Sequence, residues 1–168
     1  MAINSFNGKY RFLSNFYGTI IYWRGRMFPS VENAFQADKC ELDKDTYPFA
    51  FCTAAEAKRL GRSVKLRPDW EKRKLGTMLE LLRYKFREHP KLQRQLLATG
   101  GEKLIEGNTW GDRYWGVCDG EGLNMLGILL MLVREEIRHD AKYEITDEIS
   151  ELTPEQWQGI VIRLKRVS

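Results

Sequence analysis

The sequence predicts a mainly helical α+β fold: a single compact helical domain with a small N-terminal β-hairpin. Three observations predict it. The chain has 168 residues, a length that suits one domain able to bury its own core. Apolar residues recur at helical spacing in several stretches. Two short β-type runs near the N-terminus flank a tight-turn dipeptide.

The N-terminal part reads as short strands. Thr19 to Trp23 and Arg26 to Phe28 flank Arg24-Gly25, the expected hairpin turn. Pro29 and Ser30 then open a helix, with Ser30 as N-cap, running to about Leu42. Its apolar stripe holds Val31, Phe35 and Leu42. Glu32, Gln36 and Lys39 fall within about 60° of one another around that helix. They form a polar row beside the stripe, placed to line a cleft.

Thr53 to Glu56 (TAAE) is a capping box for a short helix ending near Gly61. Asp69 can cap the next helix, whose Leu75, Met78, Leu79, Leu82 and Phe86 share a face. His89-Pro90 interrupts it. A further helix carries Leu92, Leu96 and Leu97 and stops at Gly100-Gly101. Glu102 to Asn108 begins with a short strand. Trp110 to Gly122 (WGDRYWGVCDGEG) is a loop rich in glycine, aromatics and acids, a composition typical of functional loops. Leu123 to His139 is apolar on most sides and predicts a buried helix. Thr153-Pro154-Glu155 starts a terminal helix with Trp157, Ile160, Val161 and Leu164 on one face. Residues 1–140 are the expected domain. Residues 141–168 are an extension whose helix docks on that domain or meets a partner.

Charge and composition narrow the classes. The formal net charge is +4, which permits an anionic partner without requiring one. Cations concentrate at Lys58, Arg59, Arg62, Lys65, Arg67, Lys72, Arg73 and Lys74, against only Asp69 and Glu71. Such a patch holds phosphates or is a solvated face. The three cysteines are scattered and odd in number, and predict reduced thiols in a cytoplasmic protein rather than a disulfide framework or a metal site. No secretory or membrane-spanning segment is visible. Neither the GxxxxGKS nor the GxGxxG pattern occurs, so ATP-driven and dinucleotide redox chemistry are not favoured and no cofactor is expected.

The residues themselves leave the chemistry open. Glu32 and Lys39 read first as surface residues of an amphipathic helix. The alternative places them in a pocket with Asp112. There carboxylates act as general acid or base, and a desolvated lysine becomes a nucleophile. Trp70, Trp110, Tyr114 and Trp115 divide between core packing and stacking on a base or sugar.

Four stretches in order resemble the NADAR family, also called YbiA-like. They are Leu13 to Phe16 (LSNF); Ser30 to Lys39 (SVENAFQADK); Leu60-Gly61-Arg62 leading to Trp70; and Asp112 to Gly116 (DRYWG) with Asn124 and Gly127. The resemblance spans roughly residues 5 to 139. It implies a mostly helical protein with a small β element that hydrolyses N-glycosidic bonds. The implied substrates are ADP-ribosylated guanine in nucleic acid or nucleotides, or phosphoribosylated intermediates of riboflavin synthesis. A non-catalytic module binding ADP-ribose or nucleic acid is the other reading.

By the same resemblance Glu32 and Asp112 take the acidic positions, and Lys39 takes that of a Schiff-base lysine. Trp70 takes an aromatic position important for activity. Substrate contacts are then expected from Asn15, Phe16, Arg11, Gln36, Arg62, Lys65, Trp70, Trp115, Gly116 and Asn124, with no metal. Family members often carry histidine and lysine where Val117 to Gly122 reads VCDGEG. Cys118 and Asp119 do not replace them as phosphate ligands.

Overall fold

The structure, a computed structural model, describes residues 1–140 together with Thr153 and Gln156. Their backbone forms two compact units. One comprises Met1–Ser14 and the described residues from His89 onward; the other is Asn15–Glu88. Helices dominate both, and the β structure is limited to two-stranded pairs. The fold is α+β, as the sequence predicts.

In the unit Asn15–Glu88, strands β2 (Ile21–Trp23) and β3 (Arg26–Phe28) pair antiparallel, with Ile21 opposite Phe28. Arg24 and Gly25 turn at φ 48° and 79°, the two left-handed residues of the tight primed turn that suits strand twist. The strand begins at Ile21 rather than Thr19. Helix α1 (Val31–Asp38) follows, and the Ser30 side chain accepts the Asn33 N–H at its start. Asp43–Ala50 is a 3₁₀ helix, an element the sequence does not announce. Helix α2 (Ala54–Leu60) carries the predicted reciprocal Thr53/Glu56 cap. Helix α3 (Trp70–Glu88) lays Leu75, Met78, Leu79, Leu82 and Phe86 in the core.

Helix α1 ends four residues earlier than expected. Past Lys39 the chain pairs with a distant segment: Cys40 bridges Leu66, and Arg67 N–H donates to the Lys39 carbonyl at 2.8 Å. This extended pairing replaces the next helical turn. Leu42, assigned to the apolar stripe, is therefore exposed. Asn33 fixes the other flank of α1, its amide donating to the Phe49 and Cys52 carbonyls at 2.8 Å each.

The other unit contains β1 (Ala2–Ile3), which pairs parallel with β4 (Lys103–Leu104). Gly8–Leu13 is a 3₁₀ helix, for which the sequence gives no expectation. Helix α4 (Pro90–Ala98) starts at Pro90 itself, the residue the sequence marks as the interruption of the preceding helix. Strands β5 (Gly107–Asn108) and β6 (Val117–Cys118) pair in parallel and bracket the glycine- and aromatic-rich loop. Helix α5 (Met125–Arg138) is buried along nearly its whole length and packs on α4 and β4.

Thr153 and Gln156 exchange backbone-to-side-chain hydrogen bonds of 2.6 and 3.3 Å, the cap that the predicted helix start requires. The expected apolar face of Trp157, Ile160, Val161 and Leu164, and its docking, lie outside the described residues. Among the described residues no helix is long and apolar enough to cross a membrane.

Candidate functional site

Helix α1 brings Glu32, Gln36 and Lys39 together, but not as an exposed row. Glu32 is 6% exposed and Gln36 5%. The Gln36 amide donates to Glu32 Oε1 at 2.7 Å, a charge-assisted bond that compensates part of the carboxylate's desolvation. The Glu32 N–H donates to the Asn15 carbonyl at 3.0 Å, which ties the LSNF segment to the first turn of α1.

Lys39 is the half-buried C-cap of α1. Its ammonium lies 5.8 Å from the Phe35 ring centre and 6.0 Å from that of Trp70. Those two rings pack against each other at 5.1 Å. Burial lowers the Lys39 pKa below the usual lysine range; Glu32 opposes this, and Lys58 adds to it. Desolvation favours the neutral amine because the ammonium loses its hydration. The arrangement can therefore supply an amine nucleophile next to a carboxylate.

Trp70 is 5% exposed. Its ring packs on Phe35, the core-packing alternative of the two the sequence leaves open. Phe16 is exposed, with the Lys58 ammonium 5.7 Å from its ring. Asn15 is buried; its amide nitrogen points at Met78 Sδ at 3.5 Å, and its Oδ1 has no hydrogen-bond partner among the described residues.

Several cations of the cluster are engaged with acids. Lys65 meets Glu41 at 2.5 Å, Arg67 meets Asp69 at 2.6 Å, Arg73 meets Asp38 at 3.3 Å and Lys74 meets Glu71 at 2.6 Å. Lys65, expected to hold phosphate, would have to leave Glu41 first. Asp69 stands directly before α3, as expected of its cap residue, and its carbonyl accepts the Arg73 N–H at 3.1 Å while its carboxylate holds the Arg67 guanidinium. Arg62 is exposed, as a phosphate ligand must be.

Asp38, for which the sequence suggests no role, is a buried carboxylate that accepts from four side chains. Its side chain is 1% exposed. Oδ1 accepts from Trp23 Nε1 at 3.1 Å and Arg24 Nε at 2.7 Å; Oδ2 accepts from Thr77 at 2.8 Å and Arg73 Nε at 3.3 Å. It anchors the hairpin and α3 to the end of α1, one residue before Lys39. No local pattern marks it, because its donors come from positions 23, 24, 73 and 77.

Arg11, Asp112, Trp115, Gly116 and Asn124 belong to the other unit. Arg11 is exposed on the 3₁₀ helix. Asp112 Oδ1 accepts the backbone N–H groups of Tyr114 at 3.2 Å and Trp115 at 2.9 Å. Asn108 clamps the same turn, accepting the Asp112 N–H at 3.1 Å and donating to its carbonyl at 2.7 Å. Asp112 thus shapes the loop. Trp115 is half-buried edge-on to Tyr114 at 4.8 Å.

Asn124 and Gly116 have structural tasks. Asn124 takes φ 55°, caps α5, and commits both ends of its amide to backbone, at Glu106 N–H (3.0 Å) and the Leu104 carbonyl (2.9 Å). Gly116 is buried where a Cβ would stand 2.3 Å from the Glu106 carbonyl oxygen.

The sequence profile of the NADAR domain matches residues 4–138. This chain belongs to the NADAR family. Its NADAR domain is 38% identical over 143 residues to the N-glycosidase YbiA of Escherichia coli, covering 79% of this chain and 85% of that one. A riboflavin biosynthesis protein of Vibrio vulnificus is 38% identical over 151 residues, which cover 87% of this chain. The chain spans 41% of that relative's length. The NMR structure of E. coli YbiA superposes with a TM-score of 0.73 at 37% identity, covering 83% of this chain and 85% of YbiA. Among the described residues of the NADAR domain, no group of three or more His, Cys, Asp or Glu could hold a metal ion.

Proposed function

We propose that this NADAR domain, residues 1–140, is an N-glycosidase that hydrolyses the bond between a base and a ribose, with Lys39 as nucleophile. The carrying observation is the desolvated Lys39 amine beside a Glu32 carboxylate that Gln36 already holds. The names of the E. coli and V. vulnificus relatives support the reaction class.

The Lys39 lone pair attacks the anomeric carbon. The carbon–base bond breaks, and its electron pair leaves with the base nitrogen, which takes up a proton. The ring oxygen then leaves the same carbon and is protonated, while Nζ gives up its protons to form an imine. Water adds to the imine and releases an open-chain ribose and the amine. The net consumption is one water. Glu32 accepts and returns the Lys39 proton. Asn15 Oδ1, buried without a hydrogen-bond partner among the described residues, accepts from a substrate hydroxyl or amine once the substrate reaches it, and Arg62 attracts the substrate phosphate. Asp112 is the second acid–base carboxylate, by family resemblance.

Two substrate classes follow. Removal of ADP-ribose from guanine is the reading the sequence resemblance implies. Hydrolysis of a phosphoribosylated riboflavin intermediate is favoured by the named role of the V. vulnificus relative. A panel containing both, scored by base release, separates them; binding of ADP-ribose with no turnover of either would leave a binding module.

Borohydride reduction during turnover should leave a sugar adduct on Lys39, seen by peptide mass spectrometry. Lys39→Met should abolish turnover in a folded protein. A Lys39→Met variant that stays active sinks the covalent route. Asp112→Asn keeps an acceptor for the Tyr114 and Trp115 amides, so it should fold normally and lose turnover by about 100-fold or more; unchanged turnover would leave Asp112 as a loop residue only.

A further inference from the structure

We propose that Gly61 is a positioning residue for the reaction at Lys39, acting through Gln36 and Glu32; this rests on the N-glycosidase reading. The sequence presents Gly61 as a helix stop. The structure gives it φ −61° and ψ −14°, a right-handed conformation open to any residue. Its backbone does not need glycine. Its surroundings do: a Cβ at this position would stand 1.9 Å from Gln36 Oε1 and 2.8 Å from Gln36 Cδ, far inside the roughly 3.5–4 Å of ordinary contact.

The orientation of the Gln36 amide follows from chemistry. An ionised Glu32 only accepts hydrogen bonds, so the amide must turn its N–H₂ to the carboxylate. That places Oε1 against Gly61, where it is buried with no hydrogen-bond partner among the described residues. The amide is held by an acceptor on one side and admitted by a missing side chain on the other.

The consequence reaches Lys39. The Glu32 charge holds a proton on Lys39 against the effect of burial. A donor from Gln36 competes for that charge. Without it the carboxylate binds the ammonium more strongly, and less free amine remains. Gly61 thus keeps Gln36 on Glu32 and limits Glu32's hold on the Lys39 proton.

The obstructing atom is the end of a flexible side chain, so Gly61→Ala should displace the Gln36 amide and leave the backbone in place. The test compares Gly61→Ala, Gln36→Ala and the double variant in the full chain. Three quantities are read: the thermal midpoint, kcat and KM on the two substrates above, and the Lys39 titration followed by NMR of ¹³Cε-labelled lysine. Gly61→Ala should lower kcat on the order of 100-fold with a much smaller change in KM, and raise the Lys39 titration midpoint. The double variant should match Gln36→Ala alone, because no amide is left to collide. A Gly61→Ala protein that titrates and turns over like the parent overturns the proposal, as do losses that simply add. Absence of turnover on both substrates in the parent would refute the N-glycosidase reading, and the Lys39 titration would still decide the role of Gly61.

Discussion

Truncating Asp38 to alanine should unhinge the end of α1 where Lys39 sits. The change leaves an indole N–H, a hydroxyl and two guanidinium groups without their acceptor. Their shares differ. The Arg24 and Arg73 side chains are 53% and 27% exposed and can return to water, so each is discounted to roughly 0.5 kcal/mol. Thr77 is buried and Trp23 half-buried, and stranding each donor costs about 1–1.5 kcal/mol. The sum is about 3–4 kcal/mol, inside the range for removing one partner of a buried ion pair. Asp38→Asn keeps one oxygen, and Thr77 can rotate its hydroxyl to accept from the new amide, so about 1–2 kcal/mol is expected there. Urea melts at constant m-value measure both. An alanine variant that loses less than about 1 kcal/mol, or an asparagine variant as unstable as alanine, would refute the clamp.

Two further outcomes follow from the geometry. The Lys58 charge helps to lower the Lys39 pKa, so Lys58→Ala should raise it. The neutral amine is scarce below that pKa, so the acidic limb of the rate profile should move to higher pH and turnover at neutral pH should fall; a shift to lower pH contradicts the assignment. In the other unit, Gly116→Ala would drive a Cβ into the Glu106 carbonyl and should cost about 1–3 kcal/mol by overpacking, read as a lower thermal midpoint; an unchanged midpoint would mean that this close approach relaxes freely.

Much of the fold was legible because it is written in local chemistry. The Arg24-Gly25 turn, the Ser30 cap, the Thr53/Glu56 box and the His89-Pro90 interruption act over two to four residues, and the structure contains each of them. The candidate site was legible in part. Motif order marked Glu32 and Lys39, and helical geometry put them on one side of α1. The early end of α1 was not legible, because the Cys40–Leu66 bridge that ends it joins segments separated by more than 20 residues. Asp38 is illegible for a like reason, because two of its donors, Arg73 and Thr77, lie more than 30 residues away.

By itself, the sequence determined the fold class, the caps and turns, and the family carried by four ordered motifs. Only the tertiary structure decided that Glu32 and Gln36 are buried, that Trp70 packs on Phe35, that Lys65 is engaged, and that Gly61 is glycine for space rather than for its backbone angle. The physical reason is that desolvation and hydrogen-bond partnership depend on which distant segments pack around a group. Local periodicity states only which face of α1 Lys39 occupies. Phe35, Trp70, Glu32 and Lys58, gathered from three helices, decide how readily it gives up its proton.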